Sequence, residues 1–314
     1  MKIITVTLNP CVDKTVKVSK LVLGGLNRLG PATLDASGKG INVSQIVAAL
    51  GGDSVASGFL GTGSGEKINR MYRDLGLKMD FVSIDNPIRI NLKVFCEDYG
   101  ITEFNEPGTA VAGSAVEGLK KKLKGYASPG TVFVFSGSLP QGVRTDIYAE
   151  LIKMVKEKGA AAFLDADGDA FRTAVEAGPD YIKPNKFELM QYFGKEGDIT
   201  LLECADLCRL FINKGIKMAA VSMGAEGALF VTEAETLYAP GLRVNVLSTA
   251  AAGDSLVGAF LYAMGKGLPY RETVSLAVAA SAGAVTTEGT KPPSRSMVYK
   301  LMEQVKLEEI GAKI

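Results

Sequence analysis

Strand-like apolar runs alternate with helix-like runs along most of this chain, and that alternation limits the fold more than any other feature. The stretch IITVTL reads as a strand, and INVSQIVAAL places Ile41, Ile46, Val47 and Leu50 on one helical face. SVASGFLG returns to a strand, and GEKINRMYRDLG is a helix ending at a glycine. The rhythm continues through TVFVFSG, TDIYAELIKMVKEKG, AAFLDAD and DAFRTAVEAG, then through the strands DYIKPN, MAAVSMG and ALFVTE. Two alanine-rich helices, from Ala252 to Met264 and from Arg271 to Thr287, and a final helix close the chain. Repeated strand-then-helix units imply an α/β fold whose parallel sheet is covered by helices on both faces.

Two segments break the rhythm, Asp13 to Arg28 and Arg89 to Gly108. Both alternate with a period of two and carry no helix. In the second, Ile90, Leu92, Val94 and Cys96 point one way, and Arg89, Asn91 and Lys93 point the other. EDYG is the expected hairpin turn before ITEFN. The expectation is a small antiparallel sheet inserted into the α/β body, with one apolar face and one cationic face. No repeat, low-complexity tract or interdomain linker divides the chain, so residues 1–314 are expected to form one domain.

Composition excludes several chemistries. Histidine is absent, so no Ser-His-Asp triad and no histidine-ligated zinc is available. Base chemistry falls to carboxylate, lysine, tyrosine or cysteine. Cys11, Cys96, Cys204 and Cys208 form no C-x-x-C pair and are expected as buried free thiols, which suits a reducing compartment. A net charge of +1 gives no global field for nucleic acid. No apolar run is long enough for a bilayer, and MKIITVTLNP lacks the apolar core of a signal peptide. A cytoplasmic enzyme or binding protein, without nucleic-acid or membrane partners, is the expectation.

Five short stretches carry candidate chemistry. In LSTAAAGDSLVGAF, Asp254 stands at the mouth of a helix, either as a residue complementing the helix dipole or as a base beside an anion site. In DASGKGINVS, Gly38 and Gly40 flank Lys39 just before a helix, as an ordinary turn or as a close backbone approach to a ligand. In TLNPCVD, Asp13 follows a strand, where it is a turn aspartate or a grip on sugar hydroxyls. In KPNKFE, Asn185 and Glu188 form a helix cap or stand near a hydrated magnesium ion. VSMGAEGAL is a strand, glycine turn and strand. GTGSGEKIN lacks the Gly-Lys-Ser/Thr ending of a P-loop and reads as a strand-to-helix turn.

Taken together, SGKGINVSQIVAALGG and STAAAGDSLVGAF resemble the two signatures of the ribokinase-like (PfkB) carbohydrate kinase family. TLNPCVD, GGLNR, RINLKV, TEFNEPG, SGSLPQG, KPNKFE and VSMGAEGAL extend the resemblance, in the family's order, over nearly the whole chain. TLNP, GGLNR and NEPG resemble the branch containing 1-phosphofructokinase and tagatose-6-phosphate kinase. The resemblance implies a three-layer α/β/α, Rossmann-like ribokinase fold with a β-sheet lid from about residues 13–36 and 88–107. It also implies ATP- and Mg²⁺-dependent phosphorylation of a ketohexose monophosphate, fructose 1-phosphate first and tagatose 6-phosphate second, by a homodimer joined through the lid. The rival of another class is a sugar-phosphate sensor without turnover.

Residue by residue, the resemblance makes Asp254 the base and the amides of Ala251, Ala252 and Gly253 the anion hole. Asp13, Gly38, Lys39 and Asn42 fall at sugar positions; Arg28, Arg89 and Ser138 fall to the phosphate already on the sugar. Lys183, Asn185, Ser222, Gly224 and Gly227 match nucleotide positions, and Asn185 and Glu188 lie near the metal, through water. Two departures stand out. Ala251 replaces the first glycine of the family's Gly-x-Gly-Asp, which strains an alanine if that position needs φ > 0 and is harmless otherwise. Ser37 replaces the first glycine of Gly-Gly-Lys-Gly.

Overall fold

In the computed structural model, which describes residues 1–96, 98 and 100–311, β1 (Lys2–Thr7) lies inside the sheet and is buried from its second residue on. After it come β2 (Cys11–Val18), β3 (Ala32–Ser37), α1 (Lys39–Ala49), β4 (Ser54–Gly61), α2 (Glu66–Arg73) and β5 (Lys78–Ile84). The middle of the chain supplies β6 (Arg89–Cys96), β7 (Gly100–Asn105), α3 (Gly113–Tyr126), β8 (Thr131–Ser136), α4 (Ile147–Lys156), β9 (Ala161–Asp165), α5 (Gly168–Val175) and β10 (Tyr181–Ile182). The rest is α6 (Lys186–Tyr192), α7 (Leu201–Asn213), β11 (Met218–Ser222), β12 (Gly227–Thr232), β13 (Thr236–Pro240), α8 (Ala252–Lys266), α9 (Tyr270–Ala284), α10 (Arg295–Met302) and β14 (Glu308–Glu309).

Ten of the described strands form one sheet in the order β14-β13-β12-β11-β10-β9-β8-β1-β4-β5. It is parallel from β5 to β11 and antiparallel from β11 to β14. Period-two alternation divides the core into two layers. Ile4 and Val6 of β1 and Phe133 and Phe135 of β8 join the side chains of α3, α4, α5 and α7. Ile3, Val132 and Val134 face the other way, toward α1, α8 and α9. This is the expected three-layer arrangement. The four cysteines are free and buried, also as expected. Among the described residues no helix is long and apolar enough to cross a membrane.

The second sheet corrects the expectation in one respect. Its order is β3-β2-β6-β7, and its two hairpins are antiparallel. They join through β2 and β6 in parallel, Asp13 opposite Asn91, so the sheet is mixed. Alternation fixes which face a residue takes but not the direction of its neighbour. The faces are as expected: Val16, Val18, Val94 and Cys96 cluster on one, and Arg89, Asn91 and Lys93 line a cavity on the other. The expected EDYG turn includes Glu97 and Tyr99, which lie outside the described residues.

Helices α1 and α8 pack closely against each other. A Cβ on Gly258 of α8 would lie 1.8 Å from Ile46 Cγ2 and 2.8 Å from Val43 O of α1. Only glycine permits that approach. It brings the first turns of α1 and α8 together.

Candidate active site

The strand order reverses at β1: β4 and β5 extend to one side, and β8 through β11 to the other. A crevice opens outside the carboxyl ends of strands at such a point. A cavity of about 560 Å³ lies there, lined at its floor by Thr7, Ser136 and Asp165, the last residues of β1, β8 and β9. The starts of α1 and α8 form its walls, and the polar face of the small sheet covers it.

At the α8 wall, Ala251, Ala252, Gly253 and Asp254 all line the cavity. Helix geometry leaves the first amides without intrahelical acceptors and aims them outward. Ala251 has φ 59° and ψ 8°, the one non-glycine residue with positive φ among the described residues. The position therefore demands the left-handed conformation, and alanine holds it at a cost of about 1–2 kcal/mol.

Asp254 is 6% exposed, and its Oδ2 accepts a hydrogen bond from Asn42 Nδ2 at 2.8 Å. Burial, and after it the charge of Asp165, push its pKa up to about 6, against the pull of Lys39, the Asn42 bond and Lys183. Asp254 thus differs from an ordinary low-pKa aspartate and stands close to the pH at which a general base is useful.

Asp165 carries no motif of its own in the sequence, although it ends a strand just as Asp13 follows one. It is fully buried, and its Oδ1 accepts from Lys39 Nζ at 3.1 Å and stands 3.3 Å from Lys183 Nζ. Burial would raise its pKa, but Lys183 and Lys39 hold it below the usual value. Burial works against the Lys39 ammonium, and the carboxylates of Asp165 and Asp254 outweigh it, so Lys39 is held above its usual value. A Cβ on Gly253 would sit 3.2 Å from Lys183 Nζ, so that ammonium lies against the start of α8. Two cations converge on one carboxylate beside free helix amides, an arrangement suited to an oligo-anion such as a phosphate chain.

Across the cavity, Gly38 caps α1 at φ 146°, where a Cβ would also strike Thr7 Cγ2 at 2.7 Å. Ser37 and Asn42 share a hydrogen bond at 3.3 Å. Arg89 donates from Nε and Nη2 to Asn9 O and from Nη1 to Glu106 O, which holds its guanidinium at the cavity edge. Ser138 Oγ accepts from Asn9 Nδ2 at 3.2 Å. Asp13, 3% exposed, accepts from Lys93 Nζ at 2.9 Å, from Asn91 Nδ2 at 3.3 Å and from Cys11 Sγ at 3.5 Å. The Cys11 thiol is pushed up to about 12, by burial first and by Asp13 second, and remains a neutral donor.

Asn185 and Glu188 form a complete capping box at the start of α6: Glu188 N donates to Asn185 Oδ1, and Asn185 N donates to Glu188 Oε2, both at 2.8 Å. Both residues and Lys183 line the cavity, so the cap and a role near the ligand coexist. Burial raises the Glu188 pKa against the pull of Lys183 and Lys39. Ser222 and Asn185 also line an adjoining cleft of about 400 Å³ with Gly224.

Two expected site residues stand apart. Gly227 lines neither the cavity nor that cleft; its φ of 112° and a Cβ position 2.0 Å from Ala239 O give it a backbone role in the β12–β13 hairpin. Arg28 is exposed in the loop between β2 and β3, outside the lining of its own chain's cavity.

The model of the pfkB family of carbohydrate kinases matches residues 6–297, and the chain belongs to that family. It is a sugar kinase, a phosphotransferase by class. It is 32% identical to a 1-phosphofructokinase of Vibrio cholerae over 306 residues, 98% of this chain and 96% of that protein. It is 34% identical to a 1-phosphofructokinase of Rhodobacter capsulatus over 301 residues, 94% of each. Among solved structures, phosphofructokinase-2 of Escherichia coli in complex with substrates and products superposes with a TM-score of 0.90 at 28% identity, covering 97% of this chain and 99% of that one.

Proposed function

We propose that the protein transfers the γ-phosphoryl group of ATP to the free primary hydroxyl of a ketohexose monophosphate, with fructose 1-phosphate as substrate and fructose 1,6-bisphosphate as product. The observation that carries this reading is Asp254, a buried carboxyl with pKa near 6, held by Asn42 at the open start of α8 and facing a polar sugar-sized cavity. The relatives named 1-phosphofructokinase support the choice of sugar.

In this reading Asp254 takes the proton of the attacking hydroxyl as its oxygen bonds to phosphorus. The amides of Ala251, Ala252 and Gly253 receive the charge on the migrating group, and Lys183 and Lys39 add cationic stabilisation beside them. Phosphoryl transfer depends on such alignment and charge stabilisation more than on covalent chemistry. Asp13 and Asn42 orient the sugar, while Arg89 and Ser138 take the phosphate it already carries. The nucleotide extends over Asn185 and Ser222 toward the cleft at Gly224.

The donor set also fits a hydrated Mg²⁺. Glu188 keeps one carboxylate oxygen outside its capping bond, and Asp165 Oδ2 has no partner among the described residues. No group of three or more Asp, Glu or Cys side chains among the described residues is close enough to grip a bare ion. In this reading the ion keeps most of its waters and leans on phosphate oxygens. When bound, it neutralises charge on the nucleotide phosphates.

The exposed apolar residues Leu23, Leu26 and Leu29 of the β2–β3 loop, with Ile90 and Phe104 on the outer face of the small sheet, support a homodimer formed through that sheet. Light scattering tests it, and a monomer at micromolar concentration contradicts it. The activity itself is tested by ADP release with ATP, Mg²⁺ and a panel of phosphoketoses. Turnover ranks fructose 1-phosphate above tagatose 6-phosphate; sugar binding without ADP release in every case indicates a sensor instead.

A further inference from the structure

Lys93 has no part in the scheme above, yet it occupies a costly position. It is 7% exposed, lines the cavity, and places Nζ 2.9 Å from Asp13 Oδ2. Burial opposes its charge, but Asp13 outweighs burial and holds its pKa above the ordinary lysine value, so it stays an ammonium. An ammonium has three donors. Among the described residues, Asp13 is the only acceptor that Lys93 Nζ bonds.

Asp13 is equally constrained. Asn91 and Cys11 hold its Oδ1 while Lys93 holds its Oδ2. A carboxylate offers about four acceptor positions, so capacity remains for a ligand. Unmet donors and acceptors in a buried wall are expensive. The other face of the small sheet is apolar, with Val16, Val94 and Cys96 packed on it. This pair is on the cavity face, beside Arg89 and Asn91.

We propose that Lys93 is a further substrate-binding residue, forming with Asp13 a fixed donor–acceptor pair that reads two neighbouring ring hydroxyls of the ketose and thereby selects the configuration at C4. The inference rests on the sugar-phosphate reading above. Asp13 accepts from one hydroxyl, and Lys93 donates to the oxygen of the next. In fructofuranose the C3 and C4 hydroxyls are trans; in the C4 epimer, tagatofuranose, they are cis. Inverting C4 carries one hydroxyl to the opposite face of the ring and leaves one member of the pair unmatched. A site built to bond a hydroxyl rejects a ligand that fails to present it far more strongly than an apolar pocket does.

The test compares kcat/KM for fructose 1-phosphate and tagatose 1-phosphate, which share the phosphate position and differ only at C4. The wild-type protein is expected to prefer the fructose form by about a hundredfold or more. Lys93→Met lowers kcat/KM for the fructose form toward that of its epimer, so the preference collapses, while KM for ATP stays unchanged. Because Lys93→Met leaves Asp13 buried without its partner, Lys93→Arg serves as the second variant. It keeps the charge and the fold, checked by thermal unfolding, but moves the donors, and it too lowers the preference. An unchanged preference in a folded variant overturns the inference, as does a wild-type enzyme indifferent to C4; both leave the kinase reading standing. A wild-type protein that phosphorylates no phosphoketose overturns that reading and this inference together.

Discussion

Asn42, in the first turn of α1, donates a 2.8 Å hydrogen bond to Asp254, in the first turn of α8, across a sequence separation of 212 residues. The bond satisfies one oxygen of a buried carboxylate and fixes the direction of the other. It exists because the two helices approach each other at Gly258, where no larger residue fits.

That approach gives the first prediction. Gly258→Ala puts a methyl 1.8 Å from Ile46 Cγ2, and the helices must part. Overpacking of this kind costs about 1–3 kcal/mol. Denaturant unfolding is expected to register that loss, and kcat to fall with it as Asp254 moves from Asn42. Unchanged kcat in a destabilised variant contradicts the link between the helix contact and the site.

Asp254 predicts a pH dependence. Its pKa in the folded protein is near 6, above the ordinary aspartate value of 3.8. The base form disappears as pH falls through 6, so kcat should drop about tenfold per unit below that point. A profile flat down to pH 5 contradicts the assignment. For stability the sign is opposite. The raised pKa favours the folded state below about pH 4, and that contribution is lost as pH rises through 6. Asp254→Asn is therefore expected to stabilise the ligand-free protein at pH 8 by an amount on the order of 1–3 kcal/mol.

Ala251 predicts a stabilising substitution. Ala251→Gly removes a left-handed alanine, worth roughly 1–2 kcal/mol, against roughly 0.4–1 kcal/mol of added freedom in the unfolded chain. A net gain of about 0.5–1 kcal/mol is expected in chemical denaturation. A loss of stability contradicts the assignment of strain to this residue.

Asp165 predicts a coupled change. Its charge is the second contributor to the raised pKa of Asp254, and it holds Lys39 and Lys183 in place. Asp165→Asn should move the acid limb of the kcat profile to lower pH. It should also destabilise the fold by about 3 kcal/mol or more, because the buried Lys183 ammonium and the half-buried Lys39 ammonium lose their partner. An acid limb that stays in place removes Asp165 from the electrostatics of the base.

The sequence made the alternating body legible because β1 and β8 are short continuous apolar runs and α1 and α8 are longer apolar stretches opening after glycine or small residues. β10 is two residues long, and β13 has no strong pattern, so their places in the sheet come from neighbours rather than from their own residues. The parallel pairing of β2 with β6 was hidden because alternation specifies a face and not a partner. Most site residues were legible as polar groups at strand ends and helix starts. Asp165 obeys the same rule, but within AAFLDAD no glycine or cap residue marks it as more than a strand end. Gly227 looked like a ligand glycine, whereas its conformation serves a hairpin. The Asp13–Lys93 pair depends on a register between strands 80 residues apart, which no local pattern encodes.

The central claim is that Asp254 removes the proton from the attacking hydroxyl. Its most direct test is kcat for Asp254→Asn with saturating ATP, Mg²⁺ and fructose 1-phosphate, alongside calorimetric affinities for both substrates. Asparagine keeps the shape and can still accept from Asn42, but it cannot take the proton. The account predicts a fall in kcat of about two to four orders of magnitude with little change in either affinity. A turnover number close to that of the wild-type protein contradicts it.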